Sequence, residues 1–283
     1  MLPKMKIGQY EIFAIECERF ALDGGAMFGT VPKVLWEKTN PADEKNRIDM
    51  SARAMLIKGN GKHILVDTGM GQKWDEKARG MYKISNSFLE KNLSKAGLTP
   101  DDITDVILTH LHFDHAGGAV KSVEGKLVPT FKNATYYVQE ANYQWAINPN
   151  ARERASYLKE NFMPLLEADK LKRIDGEIEL FPDIHLIISN AHTHGQQLVR
   201  VKGEDKSICY CGDLIPTATH IPLPWVMGYD LYPLEIMNEK KKLLEQAVDE
   251  NWILFFEHDP YADAADLVKN EKGIAKKSTF FLN

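Results

Sequence analysis

The stretch His110-Leu111-His112-Phe113-Asp114-His115 concentrates three imidazoles and one carboxylate within six residues. It follows the apolar, largely β-branched run Val106-Ile107-Leu108-Thr109 and precedes Ala116-Gly117-Gly118, so it reads as a loop at a strand end. In extended backbone His110 and His112 point to the same side, whereas Asp114 and His115 fall where the chain turns. One short loop of this design can offer ligands to two neighbouring ions. Imidazole and carboxylate without thiolate suit Zn²⁺ or a similar borderline divalent ion. A solvated loop that merely contains histidines would not need four metal-competent side chains at this spacing.

Three later stretches deliver further candidates after β-rich runs. Residues 190–197 (NAHTHGQQ) place His192 at a turn between two strands. Residues 207–213 (SICYCGD) read as a strand running into Asp213, and a carboxylate at the end of a buried strand needs a partner or a cation. Residues 252–256 (WILFF) form a short apolar strand that delivers His258. Each of the three could be an ordinary turn or core-edge residue. Together they fit a common edge, because the strands of one sheet present their ends side by side. Asp67, before Thr68-Gly69 at another strand end, either caps a turn or orients the histidine loop from behind.

The elements that must position these groups follow from periodicity. Residues 10–15 read as a strand, and residues 52–57 and 63–67 as a hairpin closed by Gly59-Asn60-Gly61. Helical spacing marks residues 85–96, ended by Gly97, and residues 140–147, 156–168 and 234–249. The last of these puts Ile236, Leu243, Leu244, Ala247 and Val248 on one face. Residues 135–138, 171–174 and 185–189 read as strands, with His185 an ordinary strand residue. Residues 20–33 suit an irregular apolar loop, either a surface connection or, together with Trp36, a pocket wall. No repeat or linker interrupts the chain, so one domain over residues 1–283 is expected.

Charge is mixed and slightly acidic, −5 over 283 residues, so the basic footprint of nucleic-acid binding is absent. No apolar run approaches membrane-spanning length and the start lacks a secretory signal pattern, so no membrane association and a cytoplasmic location are expected. Cys17, Cys209 and Cys211 read as reduced, buried residues, the last two on one strand face.

The order His-x-His-x-Asp-His, His192, Asp213, His258 resembles the metallo-β-lactamase fold superfamily over about residues 52–259. The resemblance implies an α/β fold of the four-layer αββα sandwich type and a dinuclear metal site. His110, His112 and His192 would hold one ion, Asp114, His115 and His258 the other, and Asp213 would bridge. Zn is the expected metal, with Mn, Co or Fe compatible. In the family the turn at the third histidine usually reads Gly-His-Thr-Pro-Gly-His; aligned on residues 191–196 it makes His192 the ligand, while a differently built turn would offer His194. Two such ions sharing a water lower its pKa and set it to attack an electrophilic carbonyl or phosphorus. Asp213 as bridge and Asp114 as steering group or proton shuttle are the implied catalytic carboxylates.

Asp23-Gly24-Gly25-Ala26-Met27-Phe28-Gly29, Gly212-Asp213-Leu214-Ile215-Pro216, His220 and Pro224-Trp225 are similar to the branch that contains quorum-quenching lactonases and methyl parathion hydrolase-like enzymes. That implies hydrolysis of a small ester-like molecule, foremost a lactone of the N-acyl homoserine lactone type, with aryl esters or phosphotriesters beside it. Such lactonases commonly place a tyrosine three residues after the bridging aspartate. This chain has Pro216 there, and Tyr229 in the following loop is the candidate substitute. Phe28, Val31, Trp36, His220, Trp225, Met227 and Tyr229 are the expected substrate-pocket residues; Trp225 and Met227 are equally suited to core packing or a homodimer contact. The alternatives are an iron-dependent redox enzyme of the same superfamily, persulfide dioxygenase or flavodiiron-like, and a non-catalytic metal-binding member.

Overall fold

Alternate residues of the long strands bury against different neighbours, and this sets the layers. The computed structural model describes residues 4–271 and 273–282. Its first seven-stranded sheet takes β1 (Met5–Ile7), β2 (Tyr10–Asp23), β3 (Arg47–Gly59), β4 (Lys62–Val66) and β5 (Asp105–Ile107) in spatial order. A separate hairpin of β6 (Val120–Val123) and β7 (Lys126–Pro129) follows in the chain, and β8 (Thr135–Gln139) and β9 (Leu171–Ile174) complete the sheet. The second seven-stranded sheet runs through β10 (Glu179–Phe181), β11 (Ile184–Ser189), β12 (Gln196–Val201), β13 (Ser207–Tyr210), β14 (Trp252–Phe255), β15 (Ala264–Asn270) and β16 (Gly273–Phe280). The helices are α1 (Gly24–Phe28), α2 (Lys33–Trp36), α3 (Glu76–Tyr82), α4 (Leu89–Lys95), α5 (Phe113–Ala116), α6 (Glu140–Ile147), α7 (Met163–Glu167) and α8 (Pro233–Asp249).

In β3 and β4, Met55, Ile57, Ile64 and Val66 face the second sheet and meet Ile208, Tyr210, Ile253 and Phe255 between the sheets. Their neighbours Ala54, Leu56 and Leu65 face outward under α4, α6 and α7. On the far side Cys209, Trp252 and Leu254 pack beneath Ile236, Leu243, Leu244 and Ala247 of α8. The result is helix, sheet, sheet, helix: the αββα sandwich, with each fully buried Ile, Leu or Phe contributing roughly 1.5–3 kcal/mol. Cys17, Cys209 and Cys211 are free and buried, as expected. Among the described residues no helix is long and apolar enough to cross a membrane.

The hairpin forms as expected: Gly59 pairs with Lys62, and Asn60 (φ 50°) and Gly61 (φ 70°) supply the two left-handed residues of its tight turn. Three expectations change. Residues 20–33 are ordered: β2 runs on to Asp23, whose Oδ1 accepts the N–H of Ala26 and caps α1, and α2 starts after Pro32. Gly24 is there for close approach, since a Cβ would lie 2.5 Å from the Trp36 ring. The helix expected over residues 156–168 is only a 3-10 turn (Lys159–Asn161) and α7, because Pro164 has no N–H to continue a longer ladder. The one expected over residues 85–96 shrinks to α4, because Ser85 and Phe88 instead donate their N–H groups to Arg19 and Cys17 of β2.

Candidate metal centre

The histidine loop is laid against residues 67–71. Thr109 donates its N–H and hydroxyl to the two Asp67 oxygens, both at 2.7 Å. Thr68 donates its N–H and hydroxyl to the carbonyl of His115, both at 2.8 Å. Asp67 itself is left-handed (φ 58°), a conformation that Asp tolerates better than most residues. Gly117 and Gly118 are required by proximity, since a Cβ on either would lie 2.1 Å from the carbonyl oxygen of Met70 or Thr68. Asn142 of α6 accepts the N–H of Leu111 at 2.9 Å and donates to the carbonyl of His194 at 2.8 Å, tying this loop to the turn before β12.

Four strand ends then bring seven side chains together. His110 Nε2 lies 3.0 Å from His112 Nδ1, which lies 3.3 Å from His192 Nε2. His115 Nε2 and His258 Nε2 are 3.3 Å apart, with Asp114 oxygens 3.8 Å and 3.7 Å from them. Asp213 stands between the two groups: Oδ2 is 3.1 Å from His192 Nε2 and Oδ1 is 3.1 Å from His258 Nε2. Gly212 (φ 46°) bends the chain after β13 so that Asp213 enters a 3-10 turn with its carboxylate at this point. His194 is exposed, its ring 5.5 Å from that of Trp145, outside the cluster.

The outward nitrogens decide what the inward ones can be. His258 Nδ1 is 2.8 Å from the carbonyl of Ser51, which can only accept, so Nδ1 carries the proton and Nε2 presents a lone pair. His192 Nδ1 meets Asp230 Oδ1 at 2.9 Å. His115 Nδ1 meets Asp67 Oδ2 at 3.0 Å and Glu257 Oε2 at 2.7 Å. His112 turns the other way, its Nε2 3.4 Å from Glu153 Oε1. Inward-facing nitrogens and carboxylate oxygens thus converge on one another within a buried space, where acceptors alone repel. Divalent cations of the zinc class fit that donor set, and carboxylate or carbonyl partners behind each imidazole are the supports such ligands use.

Burial and crowding shift several groups here. Burial and the neighbouring imidazoles hold His110 well below the ordinary imidazole range. Burial opposes ionisation of Asp213, but His115, His192 and His258 outweigh it and hold its pKa well below the usual carboxylate value. Burial lifts Glu257 to about 8.

A cavity of about 340 Å³ opens over the cluster. His112, Asp114, His192, Asp213 and His258 reach it, and Leu22, Met27, Phe113, Met227, Tyr82 and Tyr229 make its walls. Met227 and Tyr229 are therefore cavity residues. Phe28 and Trp36 are fully buried behind the wall, stacked at 5.2 Å, with Val31 and Trp225 packed on the same cluster. His220 stacks on Phe28 at 4.7 Å and uses both nitrogens, one on Thr217 Oγ1 at 2.7 Å and one on the carbonyl of Met27 at 2.8 Å.

The description that matches this chain by sequence is the metallo-beta-lactamase superfamily, over residues 48–258. The chain belongs to that superfamily. An N-acyl homoserine lactonase of Bacillus thuringiensis is 30% identical over 211 residues, 69% of this chain and 76% of that protein. Among solved structures, a probable metal-dependent hydrolase from Staphylococcus aureus superposes with a TM-score of 0.90 at 29% identity, covering 98% of both chains. An N-acyl homoserine lactone hydrolase with the product N-hexanoyl-L-homoserine at its catalytic metal centre superposes with a TM-score of 0.67 at 25% identity, covering 90% of this chain and 95% of that one. Relatives of this metallo-β-lactamase chain are metal-dependent hydrolases, the class expected from its sequence.

Within the superfamily cluster, sequence reasoning missed three supporting carboxylates, Glu257, Asp230 and Glu153. Glu257 had a signal, since it precedes His258 on the same strand end. Asp230 and Glu153 sit in irregular segments whose approach to His192 and His112 no periodicity announces.

Proposed function

We propose that this chain is a dinuclear metal-dependent hydrolase that opens a lactone of the N-acyl homoserine lactone type, with aryl esters or phosphotriesters as further substrates. The observation that carries this reading is Asp213, with one oxygen 3.1 Å from His192 and the other 3.1 Å from His258. His110, His112 and His192 would hold one ion, and Asp114, His115 and His258 the second. Divalent ions bound there supply Lewis acidity toward the scissile carbonyl and lower the pKa of a water. The lactonase relatives support the choice of substrate class.

The chain's own residues then do the rest. Asp213 fixes the spacing of the two triads. Asp114 faces the cavity, where its carboxylate takes the proton of the attacking water and returns it to the residue that protonates the departing ring oxygen. Pro216 offers no donor, and its carbonyl is occupied by the N–H of His258 at 3.1 Å. Tyr229 lines the cavity and takes the place of the lactonase tyrosine: its phenol, pushed up to about 12 by desolvation with Asp114 and Tyr82 nearby, gives its proton to the departing ring oxygen and regains one from Asp114. Leu22, Met27, Phe113 and Met227 cover the acyl portion and exclude water.

The test is a screen of zinc- or manganese-loaded protein against lactones of graded acyl length, aryl esters and phosphotriesters, read by proton release. Lactone opening faster than the other two is expected. A fully metal-loaded protein that turns over none of the three would reject the reading.

A further inference from the structure

Among the described residues that line the cavity, Arg152 is the one cation apart from the clustered histidines, and nothing in the chemistry above uses it. It lies on the segment after α6, and its Nη2 donates to the carbonyl of Gly228 and, at 3.4 Å, to that of Asp230. Both acceptors are neutral. Nε and Nη1 have no partner among the described residues, and no carboxylate there pairs with the guanidinium. The adjacent Glu153 is already engaged, accepting from Trp145 Nε1 at 2.7 Å and Asn150 Nδ2 at 2.8 Å.

The acceptors that hold Arg152 are themselves fixed. Gly228 donates its N–H to Ala26 at 2.8 Å, and Met227 donates its N–H to Asp230 Oδ2 at 2.7 Å. The guanidinium is therefore held in place through one nitrogen while its other donors and its whole charge stay available at the cavity. A guanidinium is a rigid fork of donors that matches a carboxylate with two parallel hydrogen bonds.

We propose that Arg152 is a specificity determinant that anchors a carboxylate on the acyl portion of the substrate, so that among the lactones and esters proposed above those whose acyl portion carries an acid group are turned over ahead of those with a plain chain. The inference rests on the ester-hydrolysis reading of the cavity. Its apolar walls alone would favour a plain acyl chain; Arg152 adds a fixed charge at the rim that such a chain cannot use.

The test compares two esters of equal chain length on the metal-loaded protein: mono-4-nitrophenyl glutarate, which carries a free carboxylate, and 4-nitrophenyl pentanoate, which does not. The readout is the ratio of their kcat/KM values. Arg152→Met is expected to lower that ratio about tenfold, through KM of the glutarate ester, as loss of a charge-assisted hydrogen bond does. Arg152→Lys, which keeps the charge, retains most of the preference, and higher ionic strength compresses the ratio in the wild type but not in Arg152→Met. An equal loss on both esters in Arg152→Met would overturn the inference and leave Arg152 a loop clamp only. If neither ester is hydrolysed, aryl esters drop out of the proposed substrates while the lactone screen still decides the hydrolase reading, and calorimetric binding of monomethyl glutarate, which carries one free carboxylate, against methyl pentanoate, which carries none, decides the inference separately. A roughly tenfold loss of monomethyl glutarate affinity relative to methyl pentanoate in Arg152→Met supports it; an unchanged ratio overturns it.

Discussion

His192 Nδ1 lies 2.9 Å from Asp230 Oδ1, and the other oxygen of that carboxylate accepts the N–H of Met227 at 2.7 Å. One buried side chain thus sets the tautomer of an imidazole and anchors the loop that carries Tyr229. Asp230→Ala is expected to weaken metal binding about 10–100-fold, the usual consequence of losing such a support. Competition with a chromogenic chelator measures it, and wild-type affinity in the variant would show that Asp230 does not orient His192.

Tyr229→Phe separates proton donation from the rest of the site. A general acid contributes about 10²–10⁴ in rate, so lactone turnover should fall by about a hundredfold. A 4-nitrophenyl ester, whose leaving group departs without a proton, should lose far less. Equal losses on the two substrates would remove Tyr229 from the reaction and leave it a wall residue.

Gly118→Ala probes the platform behind the loop. The added methyl would lie 2.1 Å from the carbonyl of Thr68, whose N–H and hydroxyl hold His115. A loss of at least about 1–3 kcal/mol is expected on urea unfolding, as for overpacked cores, together with weaker metal binding. A variant as stable as wild type would mean that the two segments can part without consequence.

Glu18 gives the fold a pH dependence of its own. Burial lifts its carboxyl from 4.5 to about 7 in the folded chain, while its oxygens accept from Met70 N–H at 3.1 Å and Gln72 Nε2 at 3.3 Å. The folded state therefore holds this proton more tightly than the unfolded chain. Its contribution is complete below about 4.5 and is lost as pH rises through about 7, on the order of 3 kcal/mol in all. Denaturant unfolding of chelator-treated protein between pH 5 and pH 8 should show a smaller decline in Glu18→Gln than in wild type. Identical declines would assign the pH dependence elsewhere.

Much of this was legible in the sequence because the signals were local. The run from His110 to His115, the Asn60-Gly61 turn and the apolar runs of β13 and β14 all follow from neighbours in the chain. The segment around Phe28 and Trp36 was not legible, because its two glycines read as flexibility whereas Gly24 is there to admit the Trp36 ring. For the same reason Phe28, Trp36 and His220 stand behind the cavity wall instead of on it: their partners are distant in sequence, and only the fold shows that both His220 nitrogens are spent. The thin strands β1, β6, β7, β10, β15 and β16 escaped because they are short or half exposed and carry little hydrophobic alternation.

The central claim is that Asp213 joins two metal-holding triads into one hydrolytic site. Elemental analysis of wild type and Asp213→Ala, run beside lactone turnover on the same samples, tests it most directly. Wild type is expected to hold about two divalent ions per chain, and Asp213→Ala to lose metal and turnover together, by at least ~100-fold in rate. Full turnover by an Asp213→Ala protein that keeps its metal would contradict it.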